Sequence, residues 1–241
     1  MDKILLLIML LVLTHIARCQ QVIKAGDPAI RYELIKPGAS IYKIATTDSA
    51  GKVLTEFTCR QTVSLNAAKG WVILVQQLHL PDGRILLDST IADGKTLAPV
   101  RMRMVTTPSF MQMDLDFQQQ AVHAVANKGG KKTDTLHRME AGYFDSNLLE
   151  YLYGLLPYKK GFTATLNAYT FEKQGMDPWQ VEYVGEDMIY TPDGHWIQCH
   201  VAKTGNAGNA PDGLAWIEKR TGRVIKRVIP MGKMFYIVTK V

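Results

Sequence analysis

The side chains of this chain that could do chemistry are few, and the best cluster of them is His195, Cys199 and His200. Side chains alternate between the two faces of a strand, so His195 and Cys199 share one face while His200 points to the other. A closed zinc site needs four ligands, and this segment offers two on one side. The spacing therefore favours a histidine beside a turn and a buried thiol, and we expect no metal.

Signatures of catalysis are absent from the sequence. It contains no Gly-x-Ser-x-Gly elbow, no His-Glu-x-x-His pair and no phosphate loop ending in Gly-Lys-Ser/Thr. The segment Asp88-Ser89-Thr90 differs from an aspartic-protease loop, because Thr90 stands where the tight turn requires glycine and no second copy supplies another carboxylate. We expect a protein without catalysis or cofactor. The alternative is a hydrolase whose site is assembled from distant strands.

The sequence contains one amphipathic helix, and the rest of the chain must provide a surface that covers its apolar face. Its leucines recur at i, i+1, i+4, i+7 and i+8, which is one face of a 3.6-residue period, and they are Leu148, Leu149, Leu152, Leu155 and Leu156. Asp145 or Ser146 can cap the start, and Pro157 ends the helix because it lacks an N–H group. The pattern predicts a helix over about 146–156 whose leucine face packs on a sheet.

The rest of the chain has the pattern of a β-meander. Asp-Gly pairs, which are typical of tight antiparallel hairpin turns, occur at Asp82-Gly83, Asp93-Gly94, Asp193-Gly194 and Asp212-Gly213. The predicted strands lie near residues 40–47, 52–65, 70–79, 84–91, 97–106, 110–117, 120–126, 132–139, 162–171, 178–188, 195–203, 214–219, 223–229 and 233–240. Short sequential strands with tight turns predict antiparallel pairing of neighbours.

A methionine-rich hairpin lies within these strands. Alternation along the strands, with a tight turn between them, places Met104 opposite Met111 and Met102 opposite Met113. The apolar face of the hairpin is therefore lined by flexible methionines, which recur on surfaces that accept variable apolar ligands. The alternative is that these residues are ordinary core beneath the helix.

The N-terminus has the pattern of a secretory signal. Lys3 supplies the positive charge, and Ile4 to Leu13 is an apolar run of ten residues, about half of what a bilayer span needs. We expect cleavage before Gln20, so that residues 1–19 are the signal peptide. Acylation of Cys19 is the alternative, and Arg18 disfavours it because a lipoprotein signal needs a small residue there.

Residues 20–241 are expected to form one domain in the periplasm or another exported compartment. No linker or break in composition divides them, and no later segment is long and apolar enough to cross a membrane. The chain carries a formal net charge of +6, with its basic residues spread along the sequence. A nucleic-acid surface would need a denser basic stripe, so we expect no nucleic-acid partner.

Two cysteines remain after cleavage, Cys59 and Cys199. An exported compartment permits a disulfide between them. The alternative is two buried free thiols, since a free cysteine behaves as a small apolar residue. Nothing local in the sequence brings the two together.

The sequence resembles a known family. The segments that carry the resemblance are Asp88 to Asp93, Thr96 to Val100, Phe144 to Pro157 with Gly161, and Ala215 to Val224. They resemble exported bacterial proteins grouped as domain-of-unknown-function family 3108, and the N-terminus resembles Bacteroidetes signals. The family is similar in fold to the periplasmic lipoprotein carriers. The resemblance implies a strongly curved antiparallel sheet, like an incomplete barrel, with helical cover over an apolar concave face.

Together these observations predict a cell-envelope binding protein. Its apolar ligand would be a lipid, an acyl chain or a hydrophobic segment, held between the curved sheet and the helix. The candidate ligand-binding residues are Leu149, Leu152, Leu156, Met102, Met104, Met111 and Met113. The alternative is an envelope scaffold or protein-interaction module with a solid core.

Overall fold

The computed structural model describes residues 21–108, 111–191, 193–206 and 213–241. The predicted signal peptide, Cys19 and the cleavage point before Gln20 lie outside the described residues. The described chain is one 16-stranded sheet with very little helix. Its helical elements are two 3-10 helices, Tyr32–Leu34 and Ser146–Leu148, and the α-helix α1, Leu149–Tyr153.

The strands follow one another along the chain. They are β1 (Gln21–Ile23), β2 (Gly38–Asp48), β3 (Val53–Asn66), β4 (Trp71–His79), β5 (Ile85–Asp93), β6 (Pro99–Thr107), β7 (Met111–Gln118), β8 (Ala121–Lys128), β9 (Lys131–Arg138), β10 (Phe144–Asp145), β11 (Thr163–Thr170), β12 (Gly175–Tyr190), β13 (Trp196–Asn206), β14 (Gly213–Glu218), β15 (Val224–Met231) and β16 (Met234–Lys240). Every strand predicted from the sequence is present, with ends within three residues. The short strands β1 and β10 were not predicted.

The sheet is two antiparallel meanders joined edge to edge. Strands β2 to β9 form one meander and β11 to β16 the other, and β16 pairs with β2 to connect them. The strands β1 and β10 pair in parallel with different parts of β11, so the two ends of the sheet are β1 and β9. The sheet is curved and not closed, which confirms the predicted fold class.

Strands β7 and β9 of the first meander meet β11 of the second through side chains instead of a strand ladder. The Nδ1 atom of His137 on β9 lies 2.7 Å from the hydroxyl of Tyr169 on β11. The ring of Phe117 meets that of Tyr169 edge-on at a centroid distance of 5.9 Å. Tyr169 is fully buried at this junction. A side-chain cluster around Tyr169 therefore links the last strands of the first meander to β11.

The predicted helix is shorter than expected. Over 146–156 the chain forms one 3-10 turn and then α1, which has 5 residues. Beyond Tyr153 the backbone continues in tighter turns, with the Leu155 N–H donating to the Leu152 carbonyl oxygen. The predicted leucine face is buried throughout, as expected. Tyr153 is also fully buried and belongs to the same core cluster as the leucines.

The leucines of the helix and the methionines of the hairpin belong to different clusters. Leu149, Leu152 and Leu156 pack in the large central core. The hairpin forms a second cluster, whose members include Met102, Met113, Leu115, Phe117, Tyr143 and Tyr169, with Met104 packed against it. Met111 is only half-buried. The prediction that these methionines lie near the helix leucines is wrong, because Tyr143 and Tyr169 occupy that side of the hairpin.

The register of the methionine hairpin also differs from the prediction. Met104 pairs with Met113, and Met102 pairs with Leu115, so the register is shifted by two residues from the predicted one. A shift of two residues keeps every side chain on its face, whereas a shift of one would invert both faces. Alternation alone therefore fixes the faces of this hairpin and leaves its register open.

A contact between two glycines holds the end of the helix against the sheet. Gly154 follows α1, and Gly222 lies in the turn between β14 and β15 with φ +69°. A Cβ atom on Gly154 would overlap the carbonyl oxygen of Gly222. Neither position has space for a side chain, so backbone meets backbone here.

We expect Gly154→Ala to destabilise the protein, although alanine is favoured over glycine in helices by about 1 kcal/mol. The added methyl group meets a backbone carbonyl, and overpacking of this kind costs about 1–3 kcal/mol. Urea unfolding of both proteins measures the difference. Gly175→Ala is the matched control, because the nearest atom to its Cβ would be at 3.7 Å. A Gly154→Ala variant as stable as the parent would contradict the contact.

Candidate functional site

The helix covers only part of the concave face and leaves a cleft of about 250 Å³ beside it. This volume is just below the range of small-molecule pockets, about 300–1,000 Å³. The side chains that line the cleft come from the helical segment and from strands of both meanders, and they are Ile44, Cys59, Gln76, Leu78, Ser146, Asn147, Leu149, Glu150, Tyr153, Trp179, Arg227, Tyr236 and Val238. The cleft therefore joins a largely apolar wall to a few polar groups.

Strand register brings three of the lining residues into one row. Val238 on β16 pairs with Arg227 on β15 and with Ile44 on β2. Directly opposed residues of antiparallel strands point to the same face of the sheet, so all three side chains reach the concave side. The junction of the two meanders therefore forms part of the floor of the cleft.

An ion pair connects this floor to the helix. Arg227 Nη1 donates to Glu150 Oε1 at 3.0 Å, and the guanidinium carbon lies 5.3 Å from the ring centroid of Tyr153. Arg227 is only 8% exposed. An unpaired charge at that depth would be costly, so Glu150 and the Tyr153 ring face are the groups that make a buried arginine tolerable.

Three buried donors of the cleft have no hydrogen-bond partner among the described residues. They are Arg227 Nε, the Tyr153 hydroxyl and Trp179 Nε1. Arginine and tryptophan side chains can donate hydrogen bonds but cannot accept them. Buried polar groups in folded proteins are normally paired, so unpaired donors that line a cleft are suited to a ligand that supplies an acceptor.

The buried carboxyl group of Asp145 fixes the start of the helical segment, and a second buried carboxyl group, that of Asp88, lies near it. Asp145 accepts a hydrogen bond from Thr90 Oγ1 at 2.6 Å and another from the Asn147 N–H at 3.2 Å. Burial raises the pKa of Asp145 to about 6. Burial and the neighbouring Asp145 raise the pKa of Asp88 to about 8, so Asp88 is largely protonated at neutral pH. Asp145, the cap of the helical segment, is thus the second carboxyl group near Asp88. It lies 55 residues after Thr90, so no local sequence signal indicates that the two carboxyl groups meet.

The structure places the predicted ligand-binding residues apart. Leu149 lines the cleft, whereas Leu152 and Leu156 are 0% exposed in the core. None of the four candidate methionines lines it. Sequence reasoning missed the polar residues of the cleft, Glu150, Trp179 and Arg227, because their meeting depends on how the helix docks on β12 and β15 of the second meander, which no local pattern indicates.

The candidate disulfide between Cys59 and Cys199 is absent from the structure, which has the alternative of two buried free thiols. Cys59 on β3 and Cys199 on β13 are both free and buried. Four strands lie between them in the sheet, and at about 4.8 Å per strand they are far beyond the separation that a disulfide allows along the sheet. Burial raises the pKa of each thiol to about 12, so both stay protonated at neutral pH. Cys59 contributes a small apolar surface to the cleft.

Of the histidine–cysteine cluster, only His200 is packed among aromatic rings in the described part of the chain. The ring of His200 lies 5.3 Å from that of Tyr158 and 5.8 Å from that of Tyr183. Burial lowers the pKa of His200. Within the described ranges, no group of three or more His, Cys, Asp or Glu side chains is arranged to hold a metal ion.

Comparison with known proteins identifies the family. The family model "Protein of unknown function (DUF3108)" matches residues 30–239, so the chain belongs to this family. The crystal structure of a β-barrel-like protein of domain of unknown function DUF1849 from Brucella abortus is similar, with 12% identity, a TM-score of 0.54, and coverage of 88% of this chain and 98% of that one. At that identity the likeness concerns the fold alone.

Another solved structure is more distant. The hypothetical lipoprotein YmcC from Escherichia coli K12 shares 8% identity over 96% of both chains, with a TM-score of 0.32. No curated protein matches the chain significantly. In the part of the chain that the structure describes, no helix has the length and apolar character needed to cross a membrane.

We expect Asp88→Asn to change how stability depends on pH. The folded pKa of Asp88 is raised above its unfolded value, so its stabilising contribution is complete below about pH 4 and is lost as pH rises through about 8. Asparagine imitates the protonated form. As the pH rises through that window, the free energy of unfolding of the variant should therefore increase relative to that of the parent by up to about 1.4 kcal/mol for each pH unit.

Urea unfolding at several pH values measures this gain. Asp116→Asn, which changes an exposed carboxylate on β7, is the matched control. A parallel pH dependence of the parent and Asp88→Asn would show that Asp88 is ionised in the folded protein.

Proposed function

We propose that this member of the DUF3108 family is an exported cell-envelope protein that binds one acyl chain in the cleft beside α1, without catalysing a reaction. The observation that carries the proposal is the cleft itself, which opens between a leucine-rich helix and the concave face of the sheet. The signal-like N-terminus, Lys3 followed by the apolar run to Leu13, supports an exported location.

The wall of the cleft suits a hydrocarbon chain. Ile44, Leu78, Leu149 and Val238 supply aliphatic surface, and the rings of Tyr236 and Trp179 add to it. Burying an apolar ligand against such surface contributes about 25 cal/mol per Å². A volume of about 250 Å³ suits a single chain better than a lipid with several chains.

The helix forms a fixed wall of this cleft. Leu152 and Leu156 have no exposed surface, and the contact between Gly154 and Gly222 ties the end of the helix to a sheet turn. A ligand would therefore enter beside the helix, along Leu149 and Tyr153, without displacing the core leucines.

An envelope scaffold is the second candidate function. The complete burial of Leu152 and Leu156 favours it, because that half of the helix is solid core. In this alternative a partner protein binds elsewhere on the surface and the cleft stays free of lipid.

Quenching of Trp179 fluorescence tests the proposal. Bromine quenches tryptophan on contact, and Trp179 lines the cleft whereas Trp71, Trp196 and Trp216 do not. We expect a monoacylglycerol or a free fatty acid brominated in mid-chain to quench the parent protein saturably. Trp179→Phe should lose most of that quenching.

A matched pair of variants locates the binding. Leu78→Phe adds bulk inside the cleft and should weaken quenching, whereas His79→Phe adds the same ring at the exposed neighbouring position and should not. The proposal fails if neither lipid quenches the parent, or if Trp179→Phe and Leu78→Phe are quenched as strongly as the parent.

A further inference from the structure

We infer that the cleft selects acyl chains whose polar end is an uncharged carbonyl, an ester or an amide, over chains that end in a free carboxylate. This inference rests on the proposed acyl-chain binding and adds the chemistry of the polar end. It is carried by two features of the cleft, which are its unpaired buried donors and its internally balanced charge.

Because the cleft has unpaired donors, the polar end of the ligand must accept hydrogen bonds. Arg227 is 8% exposed and Tyr153 is 0% exposed, and each of these lining side chains has a buried donor without a partner among the described residues. Trp179 Nε1 is a third. Since Arg227 and Trp179 can only donate, an ammonium group, which also only donates, would leave them unpaired. A carbonyl oxygen and a carboxylate both satisfy this requirement.

Charge distinguishes between the two acceptors. Of the described residues that line the cleft, Arg227 is the cation and Glu150 is the carboxylate, and they are joined at 3.0 Å. The arginine charge is therefore already offset. A ligand carboxylate would add a second negative charge that has no cation of its own, and an uncompensated charge away from water is costly. A carbonyl adds none.

The negative charge of Glu150 affects the pKa values of other groups that line the cleft. Burial, and then the charge of Glu150, raise the pKa of Tyr236 to about 12. The same two causes raise the pKa of Cys59, on the opposite side of the junction between the meanders, with a further contribution from Asp88. The groups that form the floor of the cleft therefore lie in surroundings that disfavour an added anion.

Glu150 is therefore the residue that determines head-group preference. Glu150→Gln keeps the size of the side chain and an acceptor for Arg227, but it removes the charge that offsets the guanidinium. The arginine would then be free to pair with a ligand carboxylate. Glu186→Gln is the matched control, since it removes a charge of the same sign at a position outside the cleft, where Glu186 pairs with Lys219.

The experiment compares three lipids with the same mid-chain brominated acyl group at about pH 7.5, namely a monoacylglycerol, an N-acyl ethanolamide and the free fatty acid. Dissociation constants are measured by Trp179 quenching for the parent, Glu150→Gln and Glu186→Gln, with circular dichroism to verify the fold of each. The parent should bind the ester or the amide at least about tenfold more tightly than the fatty acid. This ratio should fall in Glu150→Gln and stay unchanged in Glu186→Gln.

The outcomes separate the two proposals. Preference for the ester indicates a glycerolipid, and preference for the amide indicates an N-acylated ligand, and both support the inference. Equal or tighter binding of the fatty acid by the parent overturns it while acyl-chain binding stands, as does a folded Glu150→Gln with an unchanged ratio. If Glu150→Gln does not fold, the ratio in the parent decides. If none of the three lipids quenches Trp179, acyl-chain binding itself is rejected.

Discussion

A sheet that curls without closing must cover its concave apolar face, and in this protein the cover is a five-residue α-helix with the turns around it. Three contacts hold that helix in place. Thr90 binds the cap residue Asp145 at its start, Arg227 binds Glu150 in its middle, and Gly222 meets Gly154 at its end. The leucine core, the cleft and the buried charges all depend on this docking.

The shortness of the helix explains why a cleft exists. Five residues of α-helix rise about 7.5 Å, whereas the strands beneath are several times longer. The core leucines fill one side of the helix completely, and the side that carries Leu149 and Glu150 is left facing unfilled space. Arg227 lies on that side, and its buried charge needs Glu150. The same ion pair therefore anchors the helix and determines the electrostatic character of the cleft.

Much of the fold could be predicted from local patterns, because alternation and Asp-Gly turns are properties of neighbouring residues. The strands β2 to β9 and β11 to β16 follow from them, as does the burial of the helix leucines. The methionine register could not be predicted, since alternation permits shifts of two residues. Nor could the cleft, because Arg227 and Glu150 are 77 residues apart and meet only through the docking of the helix on β15.

The central claim is that the space beside the helix holds one acyl chain. Native mass spectrometry of the protein purified from its own cell envelope tests it most directly, with Leu78→Phe purified in parallel. The account predicts one bound lipid per chain in the parent, with an uncharged carbonyl at the end of its acyl chain, and loss of that lipid in Leu78→Phe. A parent protein free of lipid, or the same lipid retained by Leu78→Phe, would contradict it.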